Sequence, residues 1–290
     1  MTPYVSRDAH ARAWHRRRGT LRVNCIDHVF DIFWIAKGGA AFALFGVHPV
    51  PTTHPLVLLG VAALATGGAG GQYGNADAAP ATDLAHPKIT ANIAVVSDYV
   101  VRGVSYSDHS PALQGSIDVV DRSGWGAGAW TSQIDEFNGA TQEIDLYAAK
   151  TFTLAGTELS IGATAFVFPN GKDTNVGDID VSAARAIGPV DATLTVNYVW
   201  PQANLGDKDD LYVSVSGVTP AGRVAGAQIS VSGNVGYDEG SFVQGDSKID
   251  WSLGVSAEAH GVAFSVAYVD NDLEDSRGDP IAVFSISKAF

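Results

Sequence analysis

From Ile89 onward the chain alternates apolar and polar residues with a period of two. Asp191–Trp200 shows the rule: Ala192, Leu194, Val196, Tyr198 and Trp200 fall on one side of an extended chain, and Asp191, Thr193, Thr195 and Asn197 on the other. Successive strand side chains point to opposite faces, so such a segment has one apolar and one polar wall. Twelve segments of this kind are predicted, at 89–102, 111–120, 125–134, 141–152, 157–168, 177–187, 190–200, 209–218, 224–237, 248–258, 260–269 and 280–290. Each is roughly ten residues long, the span of a tilted membrane strand. No apolar stripe at helical spacing follows residue 80.

The connections predict which way the walls face. Short ones at Asp121–Gly124, Leu154–Gly156, Gly188-Pro189, Thr219–Gly222 and His260-Gly261 all contain Gly, as tight hairpins require. Longer polar ones lie around Ser105–Ser110, Asp135–Ala140, Pro169–Val176, Pro201–Lys208, Asp238–Ser247 and Asp270–Asp279. Long and short alternate, as in a barrel with short periplasmic turns and longer outer loops. A β-sandwich shares the alternation but has no reason to sort its loops. The expected fold is all-β, a transmembrane antiparallel up-and-down barrel of about twelve strands. Tyr198, Trp200, Trp251 and the terminal Phe290 are read as aromatics at the membrane–water interface.

Residues 1–78 read differently. Arg16–Arg18 form a basic cluster, the run Val29–Val47 is broken by Asp31 and Lys37, and Pro55–Ala65 is a short apolar core followed by Ala76-Asp77-Ala78. An apolar core before an A-x-A site resembles a secretory signal cleaved near Ala78–Ala79, although Pro49–His54 carries no base. The expected organisation is a leader region over 1–78, a short periplasmic segment over 79–88 and the barrel over 89–290. A secreted chain of this kind would lie in the cell outer membrane.

Composition and charge narrow the function classes. Charged residues are 17%, and a single Cys25 excludes an internal disulfide framework or a Cys-based zinc site. The net charge is −13. The first 78 residues carry seven bases and four acids, leaving eleven bases against twenty-seven acids in the body. So acidic a body repels phosphate backbones, and nucleic acid is excluded as a partner. No Gly-x-Ser-x-Gly, P-loop or dinucleotide motif is present. No cofactor or metal site is expected. The acidic loop Asp270–Asp275 lacks EF-hand spacing and reads as a solvated loop, and His109 and His260 stand alone in connections with no triad spacing.

Ala91–Ser105, with its run Ser97-Asp98-Tyr99-Val-Val-Arg102-Gly103, carries a family resemblance. With Pro111–Gly115, Gly124–Trp130 and Glu143-Ile-Asp145-Leu-Tyr147, it resembles the TorF-type porins of proteobacteria. The resemblance covers roughly 89–290 and implies an outer-membrane channel with no defined substrate. The final strand Ala282–Phe290, with Phe284 and Ile286 on one face, resembles the signal read by the barrel-assembly machinery; Lys288 departs from it and is expected to snorkel.

Alternation along the first predicted strand puts Tyr99 and Val101 toward lipid and Asp98 and Arg102 into the lumen; Glu143, Asp145 and Tyr147 face the lumen from the fourth. Charges inside a barrel must be paired or hydrated. Arg102 facing Asp98, Glu143 and Asp145 would either set ion selectivity or form a structural network that fills the interior. The expected function is passive diffusion of small hydrophilic solutes, without enzymatic activity, with outer-membrane lipids as surroundings. The alternatives are a plugged structural or adhesive barrel, an outer-membrane lipid hydrolase and a soluble periplasmic β-sandwich.

Overall fold

The computed structural model describes the strands within residues 18–46 and residues 87–290 apart from Gln244, Glu274 and Asp275. The proposed leader core and cleavage site, the segment 79–86, and Glu274 and Asp275 of the acidic loop lie outside the described residues. The chain divides into two units, Met1–Val57 and Leu58–Phe290. In the first, β1 (Arg18–Cys25), β2 (His28–Lys37) and β3 (Ala40–Gly46) pair antiparallel in sequence order.

The second unit is a closed twelve-stranded antiparallel barrel. Its strands are β4 (Lys88–Val96), β7 (Ala112–Val120), β8 (Trp125–Phe137), β9 (Ala140–Leu154), β10 (Thr157–Val167), β11 (Val176–Ile187), β12 (Val190–Gln202), β13 (Lys208–Val224), β14 (Ala227–Gly240), β15 (Lys248–Ala259), β16 (Val262–Asn271) and β17 (Ile281–Ala289). Between the first two, β5 (Val100–Val101) and β6 (Val104–Ser105) form a small hairpin of their own. Each barrel strand pairs with its sequence neighbours, and β17 pairs with β4 to close the ring. Closure removes every free strand edge, the requirement for a sheet in hydrocarbon. The backbone of Phe290 exchanges hydrogen bonds with Ala91 at that seam (2.9 and 3.3 Å), so the last residue completes the ring.

The walls face as alternation demands. Ile93, Val95, Ile117, Leu146, Ile161, Val181, Leu194, Val215, Leu253, Phe264 and Phe284 are all exposed on the outside. A soluble sandwich buries such residues; here they form an outer apolar coat, which rules that fold out. Trp200, Trp251, Tyr268 and Phe290 are exposed on the same surface, Tyr198 half so. Lys288 turns toward the end of its strand, where Nζ donates to the His260 carbonyl at 2.7 Å.

Five connections at one end are short: 121–124, 155–156, 188–189, 225–226 and 260–261. The fourth corrects the expected turn at Thr219–Gly222. There β13 continues through Pro220 by a bulge between Pro220 and Gly222, and the reversal comes at Ala225-Gly226, both at positive φ. A bulge lets Pro sit in a strand without a missing ladder bond. At the other end the connection expected over Asp135–Ala140 is also tight. β8 and β9 run on to a two-residue turn at Asn138-Gly139 (φ 50° and 96°), the signature of a type I′ hairpin.

Inward-facing glycines give large aromatics room to lie flat on the wall. A Cβ at Gly128 would sit 2.6 Å from the Tyr147 ring, and one at Gly236 would sit 2.1 Å from the Tyr212 hydroxyl. Tyr147 thereby reaches across β8 to donate to Asp118 on β7. Gly128→Val should evict Tyr147, at a cost of about 1–3 kcal/mol for overpacking. The temperature at which the protein loses its compact mobility in SDS should then fall, and an unchanged transition would show that the ring is not held there.

Candidate functional site: a hairpin inside the barrel

The first strand ends at Val96, not at Arg102 as its pattern suggested, and the chain then turns into the barrel. Ser97–Ser110 carries the hairpin β5–β6, whose reversal is Arg102-Gly103 with φ of 47° and 81°. Positive φ at both central residues defines a type I′ turn; glycine adopts it freely and arginine under strain. Tyr99 and Val101 therefore do not face lipid. Both are buried with Val96 and Ala112 against Trp130 and Ile134, which point inward from β8. Val100 packs on the opposite side against Ala267, Val269 and Val283 of β16 and β17. The hairpin is thus wedged between two walls.

Its base is organised by Asp98. One carboxylate oxygen accepts from the hydroxyls of Ser105 (2.7 Å) and Ser107 (2.9 Å), and the other lies 2.9 Å from His109 Nδ1. Local spacing does not reveal that His109 joins a Ser–Asp cluster. Both hydroxyls donate to the Asp98 carboxylate, so the cluster fastens the turn at the base of the hairpin.

Its tip is held by charge. Arg102 Nη1 lies 3.0 Å from Asp210 and 3.1 Å from Asp238, and the guanidinium stacks 4.2 Å from the centre of the Tyr212 ring. Lys248 pairs with Asp238 (3.3 Å) and Asp250 (3.7 Å) and donates to the Arg102 carbonyl. Tyr212 donates to Asp250 at 3.1 Å, and Asn271 to the Gly103 carbonyl at 2.6 Å. Burial disfavours the Arg102 charge, but Asp238 and Asp210 outweigh it and hold its pKa above the ordinary value. Burial, with the Glu143 carboxylate next, pushes Tyr99 and Tyr106 up, so both hydroxyls stay protonated and available as donors.

All five side chains expected inside the barrel are buried there: Asp98, Arg102, Glu143, Asp145 and Tyr147. Their partnership differs from the expectation. Arg102 does not face Asp98, Glu143 and Asp145; it crosses to β13 and β14, because the turn aims it away from its own strand. Asp98 serves the hairpin base, and Glu143 accepts from Tyr99 and lies against Asp145. Residues that sequence reasoning did not single out are Asp178, Asp180, Asp210, Tyr212, Asp238, Lys248 and Asp250. Alternation places each on a polar face, which was the available signal. Among the described residues the buried charges are eight carboxylates against Arg102 and Lys248, and no three carboxylates converge on a metal position.

Residues 80–290 match a family model described as a bacterial protein of unknown function, Gcw_chp. The chain belongs to this family. No curated protein sequence matches the Gcw_chp chain. Among solved structures it is similar to the KdgM porin, with 6% identity, 69% of this chain and 98% of that one covered, and a TM-score of 0.47. The NanC porin follows at 10% identity, 70% and 98% coverage and 0.43, and LpxR from Salmonella typhimurium at 10%, 69% and 99%, and 0.40. None of these likenesses carries a residue correspondence onto the Gcw_chp hairpin.

Proposed function

We propose that this protein is an outer-membrane channel that passes small hydrophilic solutes, cations ahead of anions, past the internal hairpin. The observation that carries the reading is the excess of buried carboxylates over bases inside a closed, outwardly apolar barrel. A ring or cluster of one charge sign in a narrow passage sets ion preference. In this reading the end with short connections is periplasmic, outer-membrane lipids surround the apolar coat, and the strand ending at Phe290 is what the assembly machinery reads. Asp98, Arg102, Glu143, Asp145 and Tyr147 line or position the passage. The sequence likeness to TorF-type porins supports the same reading.

Unboiled protein should run faster in SDS than boiled protein, and planar bilayers should then show conductance with a reversal potential favouring K⁺ over Cl⁻. Anion preference or no preference in an open channel would remove the carboxylates from the role. The second reading, a plugged barrel, is favoured by the packing of the hairpin on both walls. It predicts a silent wild type whose conductance appears only when the hairpin is released.

A further inference from the structure

The hairpin divides the interior acids into two groups. On one side Asp210, Asp238 and Asp250 share Arg102 and Lys248. On the other, Glu143 and Asp145 of β9 and Asp178 of β11 have neither base within bonding reach. Glu143 and Asp178 are each only 1% exposed. Glu143 and Asp145 share a hydrogen bond and Glu143 also accepts from Tyr99, which leaves Glu143 Oε2, Asp145 Oδ1 and Asp178 Oδ1 as the oxygens with no hydrogen-bond partner among the described residues. A buried acceptor left without a donor is costly, and a charged one more so.

A further, uncharged observation points to the same place. Thr164 of β10 is buried, and its Oγ1 also lacks a partner. It stands directly opposite Asp178 in the β10–β11 register and opposite Tyr147 in the β9–β10 register. Cross-strand partners share a face, so the hydroxyl projects into the same wall as the carboxylates. Asn197 donates to the other oxygen of Asp178 at 3.4 Å, so only Oδ1 of that carboxylate is left open.

Four acceptors on one wall ask for an occupant that brings both positive charge and N–H donors. A bare metal ion does not meet that demand, since no three carboxylates converge on one point among the described residues. Asp145 and Asp178 lie two strands apart and are staggered by two residues in the pairing, roughly 12 Å between backbones at ordinary strand spacing and rise, less between the carboxylates that lean into the barrel. A short alkyl chain with an ammonium at each end spans that gap with a charge-assisted hydrogen bond at both ends. We propose that the β9–β11 wall is a binding site for N–H-bearing organic cations, alkyl diamines in particular. The site names a solute class for the channel and rests on that reading for its physiological meaning.

The test is calorimetric binding of 1,4-diaminobutane to the detergent-solubilised full chain. Its comparison ligand is the bis-quaternary analogue, of the same charge and chain length but with every N–H replaced by methyl. The expected result is saturable diamine binding, at least about tenfold weaker binding of the analogue, and a similar loss in Asp178→Asn and Asp145→Asn that still show heat-modifiable mobility. Thr164→Val, which changes no charge, should also weaken binding. Equal binding of the two ligands, or binding untouched by these substitutions, overturns the proposal, and the ligand comparison does so without any variant. Bilayer conductance is read separately: a chain that binds the diamine but never conducts upholds the site and removes the channel. A conducting chain that treats both cations alike upholds the channel and removes the site.

Discussion

Arg102→Ala is expected to raise single-channel conductance several-fold and to move the reversal potential further toward cation preference. The guanidinium bridges Asp210 and Asp238 and lies over Tyr212, all from the wall opposite the hairpin's own strand. Removing one member of a buried ion pair costs about 3–5 kcal/mol, because the remaining charges stay desolvated. Asp210 would keep the Phe242 backbone N–H and no base, and Asp238 would keep Lys248. Alanine at a φ of 47° keeps the backbone strain and offers nothing in return. Moving a two-state segment from almost always in to almost always out takes about 5.5 kcal/mol, so this loss goes most of that way. The same change deletes one of two buried bases facing eight acids, hence the shift in preference. Arg102→Lys, which keeps a charge at the tip, should stay closer to wild type. Conductance and reversal potential of a folded alanine variant that match wild type would show that the hairpin is not latched by this residue.

The barrel was legible from alternation alone because a strand between lipid and lumen has two different walls along its length. In 248–258 the sequence sorted Ile249, Trp251, Leu253 and Val255 from Lys248, Asp250, Ser252 and Ser256, and the structure places the first set outward. The hairpin was not legible by the same rule. Residues 89–102 alternate well enough to read as one continuous strand, and period two says nothing about where a chain leaves a sheet. The available cue was Val-Val-Arg-Gly-Val-Ser, three β-branched valines flanking a Gly-containing dipeptide, which fits a two-residue turn. That turn reverses the expected orientation of Tyr99 and Val101 and sends Arg102 toward residues more than a hundred positions away. Local pattern cannot supply a contact of that range, so Asp210 and Asp238 stood on polar faces with no visible partner.

Gly103→Ala separates geometry from charge at the same tip. Gly103 has a φ of 81°, a conformation that costs an L-residue about 1–2 kcal/mol. An added Cβ would also meet Asn271 Cβ at 2.9 Å and Asp250 Cβ at 3.0 Å. Both are atoms next to the wall backbone, not ends of flexible chains, so the hairpin must retreat while the wall stays. Retreat breaks the Asn271 hydrogen bond to the Gly103 carbonyl and draws Arg102 away from Asp210 and Asp238. The expected result is higher conductance, as in Arg102→Ala, with a reversal potential close to wild type because no charge has been removed. Planar-bilayer recordings of the two variants side by side decide the matter. If both widen the passage and only the arginine variant shifts ion preference, the hairpin is the obstruction and its arginine a selectivity charge. If Gly103→Ala leaves conductance at the wild-type level in a folded barrel, the hairpin is not what limits flow.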